Sequence, residues 1–422
     1  MQLFSYIASK LWSGKRRNRA ISSPVVKIAV GSIALGMTVM VLTLSIVTGF
    51  KSEIRSRAIG FAGHIVVIAY NNNNSFEQEP VTTKSPFLST ISKNPAIKHI
   101  QPYATKNAII KTSSENQGII IKGVDKTYDW AFIKQYLKQG TIPVFNDSVS
   151  SDKILVSLTI ANKLGIKPGD KLLTYFVSKK RLNETIESPE NPSYEQRVRK
   201  FEVSGIYQTG FADVDDNIVF ADLKQIQKLN YWNTDNAGGF EIELYDTEKI
   251  TAITEEIDGE VGQGLEARSI KALYPTLFSW LDLLDSNAII IIVLMIAVSI
   301  INMISALLIL ILERSNTIGI LKSLGADNGL VQRVFLFQAA KMIGTGLLFG
   351  NVIGLGLAFL QIKFQLIPLN PETYYMSFVP AEVHLIPLIG INILTIVCCL
   401  IMMLLPVLVI SKISPIKSLR FK

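Results

Sequence analysis

Four long, predominantly apolar stretches run through the chain: Ile28–Thr48, Ala288–Leu312, Phe335–Leu360 and Leu385–Ile410. About 20 apolar residues in a helix cross the hydrocarbon core of a bilayer, so each stretch predicts a membrane-spanning helix. Between the first and second stretch the pattern changes to short β-branched and aromatic runs divided by polar turns. Ile65–Ala69, Ile109–Thr112, Gly118–Gly123, Lys171–Val177, Phe201–Tyr207, Ile218–Phe220 and Phe240–Tyr245 read as strands. Ser157–Leu164 and Asp222–Leu229 read as helices, each opened by a residue type that caps helix N-termini. Lys167-Pro168-Gly169-Asp170 reads as a turn, and Asn71–Pro80, with four successive asparagines, as a mobile loop. The predicted fold class is an integral membrane α-helical protein with four transmembrane helices and a large α+β extracytoplasmic domain between helices 1 and 2.

Composition agrees with a membrane protein. Of 422 residues 49% are hydrophobic and 18% charged, with a formal net charge of +8. Residues 51–275 hold 27 Lys and Arg against 28 Asp and Glu, and the rest of the chain holds 15 against 6. The positive excess therefore sits beside the apolar runs, which is a topology signal and not a nucleic-acid footprint. The first 27 residues carry six basic groups. Arg314, Lys322 and Arg333 lie in the 313–334 link, and Lys412, Lys417, Arg420 and Lys422 in the tail. These three flanks are expected in the cytoplasm, and the 51–275 region and the 361–384 loop outside.

The expected organisation is a cytoplasmic amphipathic segment 1–27, helix 28–48, periplasmic domain 49–275, stalk and helix 276–312, and a cytoplasmic link 313–334. Helix 335–360, short outer loop 361–384, helix 385–410 and cytoplasmic tail 411–422 follow. Leu3, Phe4, Ile7, Ala8, Leu11 and Trp12 share one helical face and predict an interfacial helix. The first span is too long for a signal peptide's apolar region and lacks a small-residue cleavage site, so it reads as a retained anchor. Ile270–Leu284 reads as a helical stalk continuous with the second span, with Pro275 a candidate kink.

Chemistry is sparse. There is no G-x-x-x-x-G-K-[ST] loop, no zinc-ligand spacing among His64, His99 and His384, and no G-x-S-x-G. Asp213, Asp215 and Asp216 lack the remaining ligands of a calcium loop and read as a solvated turn. Cys398 and Cys399 read as apolar filler. Asn302, Asn351, Asn392 and Lys341 interrupt the spans without forming the row of ionisable groups that an ion pathway needs, and Lys341 is placed to snorkel. Gly346, Gly350 and Gly354 recur every fourth residue, the spacing that lets two membrane helices approach closely. No catalytic, metal or cofactor site is expected in this chain, and it is expected not to be an enzyme.

The link Glu313-Arg314-Ser315-Asn316-Thr317-Ile318-Gly319-Ile320-Leu321-Lys322-Ser323-Leu324-Gly325-Ala326 resembles the signature of the FtsX-like permeases of ATP-binding-cassette systems. Gly14–Arg19, Gly31–Gly36, Val47–Phe50, Glu53-Ile54, Gly60-Phe61, Leu164–Asp170, Leu277–Leu281 and Ser414–Arg420 resemble the lipoprotein-releasing branch of that family. The resemblance implies a permease that extracts lipoproteins from the outer leaflet of the bacterial inner membrane. It implies a separate ATPase chain binding ATP and magnesium, and a second permease copy or paralogue. A periplasmic lipoprotein carrier is the further partner, and the large domain is expected in the periplasm of a Gram-negative cell.

On that resemblance Gly319, Ile320, Leu321, Lys322, Leu324, Gly325 and Ala326 form the ATPase-coupling helix, with Gly319 and Gly325 at the sharp turns that bound it. Met37, Met40, Leu44, Val47, Phe50, Phe278, Leu281, Ile289 and Val293 are the candidate lining of an apolar substrate cavity between permeases. The carrier-binding loop would fall in 178–200, with Pro189, Pro192 and Tyr194 as candidates. Thr317 and Gln338 depart from the family pattern, which commonly has an acidic residue at each place. The same permease architecture also serves export of other amphiphiles or peptides, and transmission of ATPase motion to regulators of cell-wall hydrolases.

Overall fold

The computed structural model describes residues 22–70, 78–112, 115–147, 149–179, 194–370, 374, 376 and 378–409. The N-terminal interfacial helix, the asparagine run 71–74, Pro189, Pro192 and the basic tail lie outside the described residues. The chain divides into two compact units. The first comprises Met1–Ser52, Ser279–Pro368 and Phe378–Lys422; the second comprises Glu53–Phe278 and Leu369–Ser377.

Among the described residues four helices are long and apolar enough to cross a membrane. They are α1 (Ser22–Ala62), α9 (Pro275–Glu313), α11 (Asn328–Phe364) and α12 (Leu385–Val409). Helix hydrogen bonding satisfies the backbone inside the segment, which a lipid-exposed segment requires. α1, α9 and α11 each contain an apolar run and extend well beyond it, and α12 covers the fourth run as far as Val409.

The second unit is an α+β fold. Its ten-stranded sheet contains β1 (Ile65–Ala69), β3 (Ile97–Lys111), β4 (Asn116–Val124), β5 (Leu137–Gly140), β6 (Lys153–Ser157), β7 (Lys171–Lys179), β8 (Tyr194–Tyr207), β9 (Ile218–Asp222), β11 (Gly239–Leu244) and β12 (Leu265–Ser269). The order is β12-β1-β11-β3-β4-β9-β6-β8-β5, with β7 paired to β3 and β8. Pairing is antiparallel except for β4–β9 and β6–β8. β2 (Val81–Thr82) and β10 (Asn236–Ala237) form a separate two-stranded ladder. Short helices α2 (Pro86–Ile91), α3 (Ala131–Gln135), α4 (Leu158–Leu164), α5 (Ala212–Asp215), α6 (Leu223–Leu229), α7 (Ile250–Glu260) and α8 (Ile270–Leu273) complete the unit.

The two expected short helices start at their caps. Ser157 Oγ accepts from Ile160 N at 3.0 Å, and Asp222 Oδ1 accepts from Lys224 N at 3.0 Å, satisfying first-turn N–H groups that have no partner inside a helix. Of the expected strand 109–112, residues 109–111 end β3, and the expected strand 118–123 lies inside β4; the two pair from Tyr103↔Val124 to Lys111↔Asn116. Polar positions such as Lys106, Asn116 and Gln117 hid that length from a propensity reading.

Three local expectations are corrected. Pro275 does not kink a continuous stalk: α8 ends at Leu273, and Pro275 is the first residue of α9, where a fixed φ and a missing N–H cost nothing. Gly319 is not at a turn but inside a helix. Asp215 is not solvated: its carboxylate is buried and accepts from Thr209 N, Thr209 Oγ1 and Gly210 N at 3.1, 2.8 and 2.8 Å. Burial raises its pKa, and those hydrogen bonds oppose the rise.

His64 follows α1 and is buried. Its Nδ1 accepts from Leu244 N at 3.2 Å, while its backbone N–H donates to Ile242 O and its carbonyl accepts from Ile270 N. Burial pushes its pKa from 6.5 down to about 4, with Glu243 opposing and Lys98 assisting. The unfolded chain therefore binds more protons than the folded one between these values. The contribution of His64 to stability should be full above about pH 6.5 and decline as the pH falls towards 4, by on the order of 1–3 kcal/mol. His64→Gln keeps an acceptor for Leu244 and should flatten that part of the pH dependence, as measured by chemical unfolding of the full-length protein between pH 4 and 7.

Candidate functional site

The 313–334 link is built as two helices joined by a tight turn. α9 ends at Glu313, Arg314 N still donates to Leu310 O at 3.0 Å, and α10 (Ser315–Ser323) begins immediately after. At its far end Ala326 N donates to Leu321 O at 3.0 Å and Gly325 N to Lys322 O at 3.1 Å, with Gly325 at φ +91°. This paired arrangement needs a left-handed residue after the helix, which glycine adopts without strain. Asp327 then caps α11, its carboxylate accepting from Leu330 N at 3.3 Å.

The two faces of α10 differ. Ile318 and Gly319 are buried, with Ile318 in the apolar core that also holds Leu310, Ile311, Val331 and Phe335. Ile320 is 50% exposed and Leu324 79% exposed, while Leu321, Lys322 and Ala326 are half-buried. Of the expected coupling residues, Ile320 and Leu324 are thus the ones that display an apolar side chain, beside the exposed Gly325. Gly319 lies with Ile318 on the buried face. Gln338 is buried in α11 and Thr317 half-buried in α10.

The three glycines of α11 receive α1. A Cβ on Gly346 would lie 2.7 Å from Cβ of Ile33, one on Gly350 2.5 Å from Cβ of Met37, and one on Gly354 2.9 Å from Cβ of Val41. Both series advance by four and in the same direction, so α1 and α11 are parallel, with an Ile/Met/Val ridge in a glycine groove. The Thr38 hydroxyl, 2.8 Å from Ala34 O, is also 3.2 Å from Gly350 O across the contact. The sequence pattern identified the groove, but nothing in it specified the ridge. It also left unpaired two residues that the structure joins. Asn351 and Asn392 exchange amide hydrogen bonds of 2.7 and 3.1 Å between α11 and α12, and each donates its other N–H to its own helix, at Leu347 O and Leu388 O.

The expected cavity lining does not form one surface. Met37, Met40 and Leu281 are buried within the chain's own packing, and Met37 lies against Gly350. Leu44, Val47 and Phe50 are half-buried, with Phe50 edge-on to Trp280 at 5.7 Å. Ile289 and Val293 face outward beside Ile290 and Leu294, and Phe278 is buried and belongs to the second unit. Apolarity alone cannot separate a helix's inward face from its lipid or partner face, because both are hydrophobic. Tyr194 opens β8. Among the described residues no group of His, Cys, Asp and Glu is arranged to hold a metal.

The chain belongs to the FtsX-like permeases built on a MacB-like periplasmic core domain. The MacB-like periplasmic core domain matches residues 28–260, more than half of the chain, and the FtsX-like permease C-terminal region matches residues 289–415. It is a membrane protein of the LolC/LolE type within that family. It is 24% identical to the lipoprotein-releasing system transmembrane protein LolC of Xylella fastidiosa, over 97% of this chain and 96% of that protein. It is 23% identical to the lipoprotein-releasing system transmembrane protein LolE of Haemophilus influenzae, over 98% of both. The periplasmic region of MacB from Actinobacillus actinomycetemcomitans matches 53% of this chain and 95% of its own length, at 12% identity and a TM-score of 0.34.

The glycine groove carries a direct expectation. Gly350→Ala puts a methyl group into Met37 and the Ala34 carbonyl and should destabilise the membrane unit by about 1–3 kcal/mol, the usual range for overpacking. Gly356→Ala, on the same helix with nothing within 4 Å, should be neutral. Thermal denaturation of the two variants in detergent, followed by size-exclusion fluorescence, measures the difference.

Proposed function

We propose that this chain is the permease subunit of an ABC transporter that extracts lipoproteins from the outer leaflet of a Gram-negative inner membrane, driven by ATP hydrolysis in a separate chain. The full-length likeness to LolC and LolE, spanning membrane helices and outer domain together, is the observation that carries this reading. The outer domain then lies in the periplasm. The ATPase, with its ATP and magnesium, a second permease copy or paralogue and a periplasmic lipoprotein carrier are the partners.

Physical reasoning supports the same division of labour. Exposing acyl chains to water costs about 0.8 kcal/mol per CH₂, so a lipoprotein leaves the membrane only with work supplied and its chains sheltered. The chain carries no phosphate-binding loop of its own, and work must enter through contact. α10 offers two displayed apolar side chains, Ile320 and Leu324, on a short helix held between α9 and α11. A groove on an ATPase accepts such a helix by burying those anchors. The outward-facing Ile289 and Val293, with the half-buried Leu44, Val47 and Phe50, remain the lining proposed for the lipid-chain shelter.

Two experiments bear on this. Cells depleted of the chain should retain palmitate-labelled lipoproteins in the inner membrane on fractionation, and normal delivery to the outer membrane would end the lipoprotein reading. Ile320→Glu and Leu324→Glu alter displayed residues without filling the core, so the protein should accumulate normally. Substrate-stimulated ATP hydrolysis of the co-purified complex should fall at least about tenfold, the equivalent of one lost apolar anchor of about 1.4 kcal/mol or more. Unchanged stimulation would remove α10 as the contact.

A further inference from the structure

The last two turns of α1 belong to the second unit and carry a buried stripe at helical spacing: Ile54, Arg57, Ala58 and Phe61. The end of a helix leaves carbonyls without intrahelical partners. Ile59 O is taken by Gly63 N at 2.7 Å, with Gly63 at φ +72°. Phe61 O is taken by a side chain: Lys122 of β4 donates to it from Nζ at 2.6 Å.

Lys122 is only 3% exposed, an unusual place for an ammonium group. Its charge is balanced by Glu241 of β11, with Nζ 2.5 Å from Oε1. Glu241 accepts in turn from Gln101 Nε2 of β3 at 3.0 Å, and Gln101 Oε1 accepts from Asp129 N at 2.9 Å. The rings of Phe61, Tyr128, Tyr103 and Phe220 surround the ammonium with centroids 5.1–5.9 Å away. A cation at a helix C-terminus opposes the negative end of the helix dipole, and a charged donor in a dry site makes one of the stronger hydrogen bonds available to a backbone carbonyl.

Other groups hold the same turns. Arg57 donates to Thr209 O and pairs with Glu53 at 2.6 Å. At Gly60 a Cβ would lie 2.3 Å from the Phe132 ring of α3.

We propose that Lys122 is a positioning residue that locks the end of α1 to β4 and β11, so that a displacement of α1 is delivered to the sheet and not dissipated by fraying of the helix end. The assignment rests on the reading of the chain as a permease driven from the cytoplasmic side. A buried ion pair used only for stability is replaceable by neutral groups of similar size at little cost. This pair also holds a carbonyl of a membrane helix, which such a replacement abandons.

Lys122→Met alone strands the Glu241 carboxylate and is expected to misfold, so the test uses Lys122→Met with Glu241→Gln in the full chain in lipid nanodiscs. Hydrogen exchange at amides 57–62 should quicken by about 10- to 100-fold, the loss expected for one charge-assisted bond. Amides 33–41 should not change. In depleted cells the double variant, present at the wild-type level, should release palmitate-labelled lipoproteins at least about tenfold more slowly. Arg57→Gln should give the same pattern more weakly. Unchanged exchange at 57–62 overturns the lock. Faster exchange with normal release overturns its part in transmission. If depletion of the wild-type chain leaves delivery intact, the permease reading fails while the exchange measurement still decides the lock.

Discussion

Close approach of α1 and α11 is the constraint on which the membrane unit depends. Lipid tails are as apolar as Leu or Ile, so moving a side chain from lipid to a helix interface gains little from the hydrophobic effect. What remains is dispersion, which falls steeply with distance. Gly346, Gly350 and Gly354 remove the side chains that would hold the helices apart, and Ile33, Met37 and Val41 fill the space. The Thr38 hydroxyl near Gly350 O and the Asn351–Asn392 pair add directional bonds that set register where water cannot compete.

The outer unit solves the opposite problem. There, apolar burial is driven by water, and the cost lies in the polar groups that burial strands. Lys122, Glu241 and Gln101 form a connected set in which each buried group has a partner. His64 and Asp215 are buried polar groups of the same kind, one accepting from a backbone N–H and the other from two backbone N–H groups and a hydroxyl. These groups sit where strands, turns and the end of α1 meet, so the polar set also specifies how those elements join.

Elements governed by local rules were legible in the chain. The spans follow from apolar run length. The starts of α4 and α6 follow from Ser157 and Asp222, and the end of α10 from Gly325 at positive φ. Elements governed by partners were not. Pro275 carries no mark that distinguishes the start of a helix from a kink inside one. Gly319 and Gly325 look alike in sequence, yet one is buried mid-helix and the other closes the turn.

The candidate site divides along the same line. Apolar character and four-residue spacing, both properties of a single segment, determined that the chain has four spans, an outer α+β domain and a glycine groove. The tertiary structure alone decided that Ile320 and Leu324 are displayed while Met37 and Met40 are enclosed, that two asparagines 41 residues apart pair, and that Lys122 meets Phe61 O. Each of those outcomes depends on which segment arrives from elsewhere in the chain. Hydrophobicity and propensity describe what a residue tolerates, and only folding supplies the neighbour.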